Sequence, residues 1–172
     1  NVIGILPGTD QKDEYIIFSA HWDHLGIGAS VEGDSIYNGA CDNATGSAAL
    51  LAIAESMAQT GPNKRSIVFL WVTAEEQGLL GSAYYASHPI YPPAQTVANL
   101  NIDAMATYGE MNDLSIIGFG QSELETYASR WAIKQNRYIL PDQEPEKGYF
   151  FRSDHFNFAR IGIPALYAKG NS

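Results

Sequence analysis

One histidine and five carboxylate side chains lie where the chain leaves apolar runs or approaches a helix. They are His21 and Asp23, Asp42, the adjacent pair Glu75 and Glu76, and Asp103. An imidazole combined with several carboxylates suits Zn²⁺, with Mn²⁺ or Co²⁺ as substitutes. Gathered without a cation, so many carboxylates would repel one another. A carboxylate that bridges would hold two ions about 3.5–4 Å apart, as in two-metal hydrolases.

The pair Glu75 and Glu76 predicts a division of labour. One carboxylate can bind a metal ion while the other stays free to take a proton from an attacking water. Asp23, two residues beyond His21, is placed to accept the second N–H of that histidine, which would fix its tautomer. Each residue also has an ordinary structural interpretation, as a structural histidine, a helix-start acidic pair or a turn aspartate. Their joint occurrence favours the metal site.

Alternating strand and helix patterns would position these residues. Apolar runs predict strands over Val2–Leu6, Glu14–Ala20, Ser66–Thr73, Val97–Ile102, Leu114–Ile117 and Pro164–Ala168. Helical patterns cover Thr45–Gln59, Leu79–Ser87 and Ser122–Gln135, and a shorter helix begins near Asp154, which could cap it. This alternation predicts an α/β sandwich with a largely parallel sheet. Because ligands collect at the carboxyl ends of strands in such sheets, four separate elements would deliver the polar residues to one edge.

Composition excludes several classes of function. The 172 residues carry 19 acidic and 10 basic side chains, a formal net charge of -9, which argues against a nucleic-acid binder. No apolar run is long enough to cross a membrane, and no signal peptide opens the chain. The single cysteine, Cys41, cannot form a disulfide within the chain. We expect it to be a small buried residue rather than a nucleophile.

Five motifs occur in an order that resembles the M28 family of metallopeptidases. They are AHWDHLG, YNGACDNATGSAALL, FLWVTAEEQGLLGSAYY, NLNIDA and RSDHFNFARIGIPAL. That family includes bacterial leucyl-type aminopeptidases and glutamate carboxypeptidases, and the resemblance spans nearly the whole chain. It implies a three-layer α/β/α sandwich with a mostly parallel mixed central sheet. It also implies an exopeptidase that removes a terminal residue from a peptide with a zinc-activated water.

The resemblance assigns a role to each matching residue. His21 and Asp103 would bind one zinc ion, Asp42 would bridge the two ions, Glu76 would bind the second, and Glu75 would be the general base. The peptide bond between Asp42 and its neighbour Asn43 would be cis. His24 has no motif role and is interpreted as loop structure.

The resemblance also concerns the end of the chain. In this family the second zinc ion takes a histidine from a Tyr-His segment that follows the strand resembled by PALYA, and the sequence ends at Ser172. We therefore expect residues 1–172 to be one zinc exopeptidase catalytic domain without its C-terminal segment. A complete site would hold two zinc ions, and this chain would hold one unless His155 replaces the histidine.

Three further residues would contact the substrate. Tyr149 could donate a hydrogen bond to the carbonyl oxygen under attack. Arg152 and His155 belong to the RSDH motif, which lies near the substrate pocket in the family.

Several functions agree with these motifs. An aminopeptidase is the first, and a carboxypeptidase of the same family is a close alternative. The glutaminyl cyclase branch is disfavoured, because its single-zinc site does not use the equivalents of both His21 and Asp103. The alternative outside the enzymes is an inactive metal-binding fragment or a non-catalytic binding module. The expected partner is a peptide substrate, with no nucleic acid or membrane. The family further implies an extracytoplasmic location and a protease-associated domain in the parent protein.

Overall fold

A computed structural model describes residues 1–105 and 109–170. Within these ranges the strands are β1 Val2–Leu6, β2 Gln11–His21, β3 Gly26–Val31, β4 Asp34–Tyr37, β5 Arg65–Val72, β6 Thr96–Asn101, β7 Asp113–Ile117, β8 Tyr138–Pro141 and β9 Ala165–Lys169. The α-helices are α1 Thr45–Gln59, α2 Leu80–Ser87, α3 Leu124–Lys134 and α4 His155–Arg160. None of the described helices has the length and apolarity needed to cross a membrane.

Seven of the strands in the described residues form one mixed sheet in the order β1-β5-β2-β6-β9-β7-β8. The neighbours β5, β2, β6 and β9 are parallel to one another, whereas β1 pairs with β5 and β7 pairs with β9 in the antiparallel sense. Strand β8 is parallel to β7, and β3 and β4 form a separate antiparallel hairpin. The predicted mixed, mostly parallel sheet is therefore confirmed. Because β5, β2 and β6 are adjacent and parallel, their carboxyl ends share one edge.

Apolar side chains cover the central strands on both faces. One buried cluster joins Ile17 and alternate β5 residues to Tyr85 of α2 and Phe158 of α4. The other cluster joins Ala20 and the β5 residues Ile67 and Phe69 to Leu50 of α1. Since successive side chains of a strand point to opposite faces, α1 covers one face and the pair α2 and α4 covers the other. The result is the expected three-layer α/β/α arrangement.

The structure adds three strands that the sequence patterns did not predict. All six residues of β3 are exposed, so this strand has no alternation of buried and exposed positions. Strands β4 and β8 have four residues each, and β8 ends in Pro141. Periodicity cannot identify strands that are so short or so exposed. The six predicted strands and four predicted helices all occur near their predicted places, and α1 has the predicted bounds.

Candidate metal centre

His21 is the last residue of β2, and its imidazole is almost completely buried. The Nδ1 atom lies 3.0 Å from the main-chain oxygen of Asp23. In the neutral ring an N–H at Nδ1 donates to that oxygen and leaves Nε2 with a free lone pair. The predicted partner of the second N–H is thus Asp23, but the acceptor is its main-chain oxygen rather than its carboxylate. Nε2 is therefore the nitrogen available to a metal ion.

Two carboxylates face this Nε2 atom. Asp103 Oδ1 lies 3.2 Å away and Asp42 Oδ1 lies 2.9 Å away. Of the two carboxylates, only Asp103 forms a hydrogen bond with Nε2. Asp42 Oδ1 is buried without a hydrogen bond among the described residues. We call His21, Asp42 and Asp103 the first ligand group, because their donor atoms all lie within 4.8 Å of one another. A cation would neutralise both carboxylates, which one proton cannot do.

Hydrogen bonds join the turn that carries Asp42 to the turn that carries Asp103. The Asn43 amide donates to the Ile102 main-chain oxygen at 3.0 Å and accepts from the Ala104 N–H at 3.2 Å. These two contacts lie on either side of Asp103, so the buried Asn43 side chain fixes one candidate ligand relative to the other. The peptide bond between Asp42 and Asn43 is cis, which confirms that prediction.

Asp23 connects the end of β2 to the turn that follows β5. Its Oδ2 atom accepts a 2.6 Å hydrogen bond from the Ala74 N–H and a longer one from the Thr73 hydroxyl. The carboxylate of Asp23 therefore positions the turn at Glu75 and Glu76, while its main chain orients His21.

The two adjacent glutamates have different environments. Glu76 Oε1 lies 2.6 Å from Nδ1 of His24, and both atoms are buried. Together with Asp42 these residues bring donor atoms within 4.8 Å of one another, and we call His24, Asp42 and Glu76 the second ligand group. Asp42 belongs to both groups, which is the placement expected of a bridging ligand. Glu75 belongs to neither, so its carboxylate is left for other chemistry.

The donor atoms of both groups fit a zinc ion. Zinc takes imidazole nitrogen and carboxylate oxygen at about 2.0–2.2 Å, which separates tetrahedral ligand atoms by about 3.3–3.6 Å. The contacts of 2.6–3.2 Å found here are slightly closer than that separation. Three of the atoms concerned, on His24, Asp42 and Glu76, are buried without hydrogen bonds in the described part of the chain. Buried polar atoms without partners are costly, and a cation would satisfy all three.

Electrostatics support the same interpretation. Burial opposes a charged His21, yet the hydrogen bond and charge of Asp103 raise its pKa to about 9. The two carboxylates therefore favour a positive charge beside Nε2, which a bound cation would supply in place of a proton. Burial, together with the charge of Asp103, raises the pKa of Glu75 to about 8. Glu75 thus lies close enough to the first ligand group to respond to its charge.

Asp103 is held by a chain of buried hydrogen bonds that runs across the sheet. The Asn99 amide donates to the Ser19 hydroxyl, which donates to the Asn101 side-chain oxygen at 2.7 Å. The Asn101 amide donates to the Ser153 hydroxyl, which donates to Asp103 Oδ2 at 2.6 Å. Every donor points toward the carboxylate. Burial would raise the pKa of Asp103, but the bonds from His21 and Ser153 hold it below its usual value.

The predicted substrate residues lie at different depths. The half-buried ring of Tyr149 has Lys169 Nζ 4.7 Å and Arg152 Cζ 5.6 Å from its centroid, and Arg152 is exposed. His155 is fully buried beside Phe150 and Tyr167. Both nitrogens of His155 lack a hydrogen bond among the described residues, and neither ligand group contains it. In this structure its ring presents no surface to a substrate.

Two smaller expectations need correction. Asp154 stands at the helix-capping position of α4, but its side chain makes no capping bond and instead accepts a 2.5 Å bond from the Ser82 hydroxyl. Cys41 is exposed rather than buried, because the turn before α1 directs it outward, where its thiol contacts the Met105 main-chain oxygen.

A cavity of about 270 Å³ opens beside Asp103. Its described lining combines apolar and basic side chains: Ile102, Met105, Met111, Leu114, Arg137 and Lys169. Arg137 donates through one nitrogen to the Asp113 main-chain oxygen, while its buried Nε has no partner in the described ranges. Basic side chains therefore line the same cavity as Asp103.

The sequence patterns missed some residues of this region. His24 was interpreted as loop structure, although the AHWDHLG motif contains it. Ser153 and Asn43 lie directly beside residues that were identified, yet their contacts depend on elements far away in sequence. Tyr167, on β9, is buried near Asp103, Asp42 and Glu75, and burial together with these negative charges raises its pKa. No local pattern could reveal that proximity.

Comparison with known sequences places the chain among peptidases. The profile described as Peptidase family M28 matches residues 1–172. A probable leucine aminopeptidase of Trichophyton verrucosum is 28% identical over 179 aligned residues, which cover 97% of this chain and 45% of that protein. Leupeptin-inactivating enzyme 1 of Streptomyces exfoliatus is 34% identical over 95% of this chain and 34% of its own length. The chain thus spans less than half the length of either relative.

Solved structures share the fold. BSAP, a zinc aminopeptidase from Bacillus subtilis, superposes with a TM-score of 0.73 at 24% identity, covering 98% of this chain and 39% of that protein. The LapA aminopeptidase of Legionella pneumophila gives a TM-score of 0.78 at 22% identity, covering 99% and 44%. At these identities the likeness establishes the architecture of the chain.

Proposed function

Because this chain belongs to peptidase family M28, we propose that it hydrolyses the terminal peptide bond of peptides as a zinc-dependent aminopeptidase. The observation that carries the proposal is the pair of ligand groups sharing Asp42, with Glu75 beside them but outside both. Relatives named as aminopeptidases support the choice of the amino terminus. A peptide with a free terminal amine is the proposed substrate.

Each residue of the centre has a defined task in this proposal. His21, Asp42, Asp103 and Glu76 would hold zinc, and when bound zinc supplies a Lewis acid that polarises the carbonyl and makes water more acidic. Glu75 takes the proton from the attacking water and passes it to the leaving amine. Asp23 keeps the His21 ring in the required tautomer and holds the turn at Glu75 in place.

Glu75→Gln tests the proposal. This change keeps the size of the side chain and removes its ability to accept a proton. We expect turnover of leucyl-p-nitroanilide in the presence of zinc to fall about 10²–10⁴-fold, with the zinc content unchanged. Glu55→Gln, on exposed α1 surface, is the matched control and should keep full activity. Equal activity of Glu75→Gln and the parent chain would contradict Glu75 as the base, and a zinc-loaded parent chain without turnover would contradict the function.

One observation favours a carboxypeptidase as the second candidate. Arg137 and Lys169 line the cavity next to Asp103, and paired cations suit the free carboxylate of a peptide's last residue. A carboxypeptidase would cleave amino-blocked peptides with a free C-terminus, and Arg137→Gln would raise its KM. An aminopeptidase would cleave aminoacyl anilides and leave blocked peptides intact.

A further inference from the structure

We propose that His24 binds the second metal ion through Nδ1, together with Asp42 and Glu76. The inference rests on the proposed function, because it concerns an ion of the same centre. It assigns a ligand role to a residue that the motif comparison leaves as loop structure.

The geometry at His24 is that of a ligand. Nδ1 lies 2.6 Å from Glu76 Oε1, and the donor atoms of both residues lie within 4.8 Å of the Asp42 donor atom. The side chains of His24 and Glu76 are only 21% and 20% exposed, so their contact is largely shielded from water. One histidine and two carboxylates are a ligand set that zinc accepts, and three protein ligands leave a position open for water or substrate.

A simple ion pair between His24 and Glu76 does not explain the arrangement. In such a pair the Nδ1–H would point at the carboxylate, as charge-assisted hydrogen bonds require. Both atoms are buried, but neither forms a hydrogen bond within the described residues. Asp42 Oδ1 is also buried without a hydrogen bond among these residues, and an ion pair between His24 and Glu76 would not provide one. One cation would satisfy all three atoms together.

The backbone holds His24 in this position. Gly39 has a φ of 66°, in the left-handed region, and a Cβ built there would lie 2.6 Å from His24 Cβ and 2.9 Å from the Asp42 main-chain oxygen. Only glycine allows the turn before Asp42 to pack so closely against His24. The Cβ atom of His24 is therefore held close to the turn that carries Asp42.

Zinc titration of the metal-free 172-residue chain by calorimetry, with elemental analysis of the product, tests the proposal. We expect two ions per parent chain. His24→Ala should bind one ion with unchanged affinity and the other with at least about 10–100-fold lower affinity. Loss of a residue that only hydrogen-bonds to a metal ligand already lowers affinity by this factor. His88→Ala, which removes an exposed imidazole at the end of α2, is the matched control and should bind both ions normally.

His24→Asp separates a ligand from an ion-pair partner. The aspartate oxygen occupies nearly the same place along the side chain as Nδ1, so it can still coordinate zinc. If His24 is a ligand, this variant keeps most of the second-ion affinity that His24→Ala loses. If His24 is only the positive partner of Glu76, the new negative charge weakens binding further than alanine does. Circular dichroism confirms that each variant is folded.

Three results would overturn the inference. The first is that His24→Ala binds both ions as tightly as the parent chain. The second is that His24→Asp binds zinc more weakly than His24→Ala. The third is that the parent chain binds one ion, which only His21→Ala removes. In each case the Glu75→Gln activity comparison still decides the proposed peptidase function on its own. No zinc bound to the parent chain would overturn both.

Discussion

At Asp103 the two oxygens of one carboxylate have separate tasks. Oδ1 faces His21 Nε2, while Oδ2 accepts the Ser153 hydroxyl at the end of the buried donor chain. The second contact would orient this proposed ligand before any ion binds. Residues that hydrogen-bond to a metal ligand commonly influence metal affinity strongly.

Ser153→Ala should therefore weaken the first ligand group without removing a ligand. It leaves Asp103 Oδ2 without its donor and the Asn101 amide without its acceptor. We expect about 10–100-fold weaker binding of one zinc ion and about 1–3 kcal/mol lower stability of the metal-free chain. Calorimetric titration and urea unfolding measure the two effects. Ser87→Ala, which removes a hydroxyl bonded within its own helix, is the control, and an equal zinc affinity for both variants would refute the positioning role.

The buried His155 should make the metal-free chain sensitive to acid. Burial lowers its pKa from 6.5 to about 4, so between these values the unfolded chain takes up a proton that the folded chain does not. Stability is therefore lost as pH falls through this window, by about 2–3 kcal/mol at pH 4.5. Burial raises the pKa of Asp154 to about 6, and this group has the opposite effect because its stabilisation is lost as pH rises. The two effects partly offset each other in the parent chain.

His155→Phe separates the two contributions. Measured by urea unfolding in EDTA, the stability of the variant relative to the parent chain should rise by about 2–3 kcal/mol between pH 7 and pH 4.5. His88→Gln, at an exposed histidine, should show no such trend. Parallel curves for His155→Phe and the parent chain would mean that His155 is protonated equally in both states.

Among the elements, the start of α1 has the least room for change. A Cβ at Gly46 would lie 2.3 Å from the Asn43 side-chain oxygen and 2.7 Å from the Ile102 main-chain oxygen. The glycine thus lets the first turn of α1 approach the loop that carries Asp103. The Asn43 side-chain oxygen accepts a 2.9 Å hydrogen bond from the Gly46 N–H, which stabilises this contact.

Gly46→Ala should lower stability although alanine is the better helix former. Overpacking costs about 1–3 kcal/mol, which exceeds the helix-propensity gain of about 0.5–1 kcal/mol. Thermal unfolding should show a lower Tm, and zinc affinity should fall because Asn43 is displaced. Gly4→Ala in β1, where nothing lies within 4 Å of the added methyl, is the control. An unchanged Tm for Gly46→Ala would show that the turn can shift to accommodate the added methyl group, which would contradict the prediction.

Prediction from sequence succeeded where periodicity or motif order carried the signal. Strand β5 is buried along nearly its whole length, and α1 ends before a Thr-Gly-Pro stop. The hairpin of β3 and β4 gave no such signal, because exposed glycine and serine residues have no alternation. His24 precedes that hairpin, and its approach to Glu76 depends on how the loop folds. The exported location and the protease-associated domain remain predictions.

For the whole molecule, bound zinc should act as a stabiliser. The proposed ligands come from the ends of β2, β5 and β6 and from the turn before α1, and the unfolded chain cannot bring them together. Zinc at 100 times its dissociation constant would add about 2.7 kcal/mol, which corresponds to a Tm increase of about 5–10 °C. Thermal unfolding at increasing zinc, starting from EDTA, measures this. Mg²⁺ and the His21→Ala variant are the controls, and a Tm independent of zinc would contradict the centre.

The wide spacing of the ligands along the chain has a kinetic consequence. His21 and Asp103 are 82 positions apart, and they meet only after β2 has paired in parallel with β6. Such long-range pairing is slow to form, since the intervening chain must first lose its freedom. We therefore expect zinc to bind after the rate-limiting barrier and to leave the folding rate almost unchanged. The expected effect is on the unfolding rate, so zinc would lengthen the lifetime of the folded chain without speeding its folding.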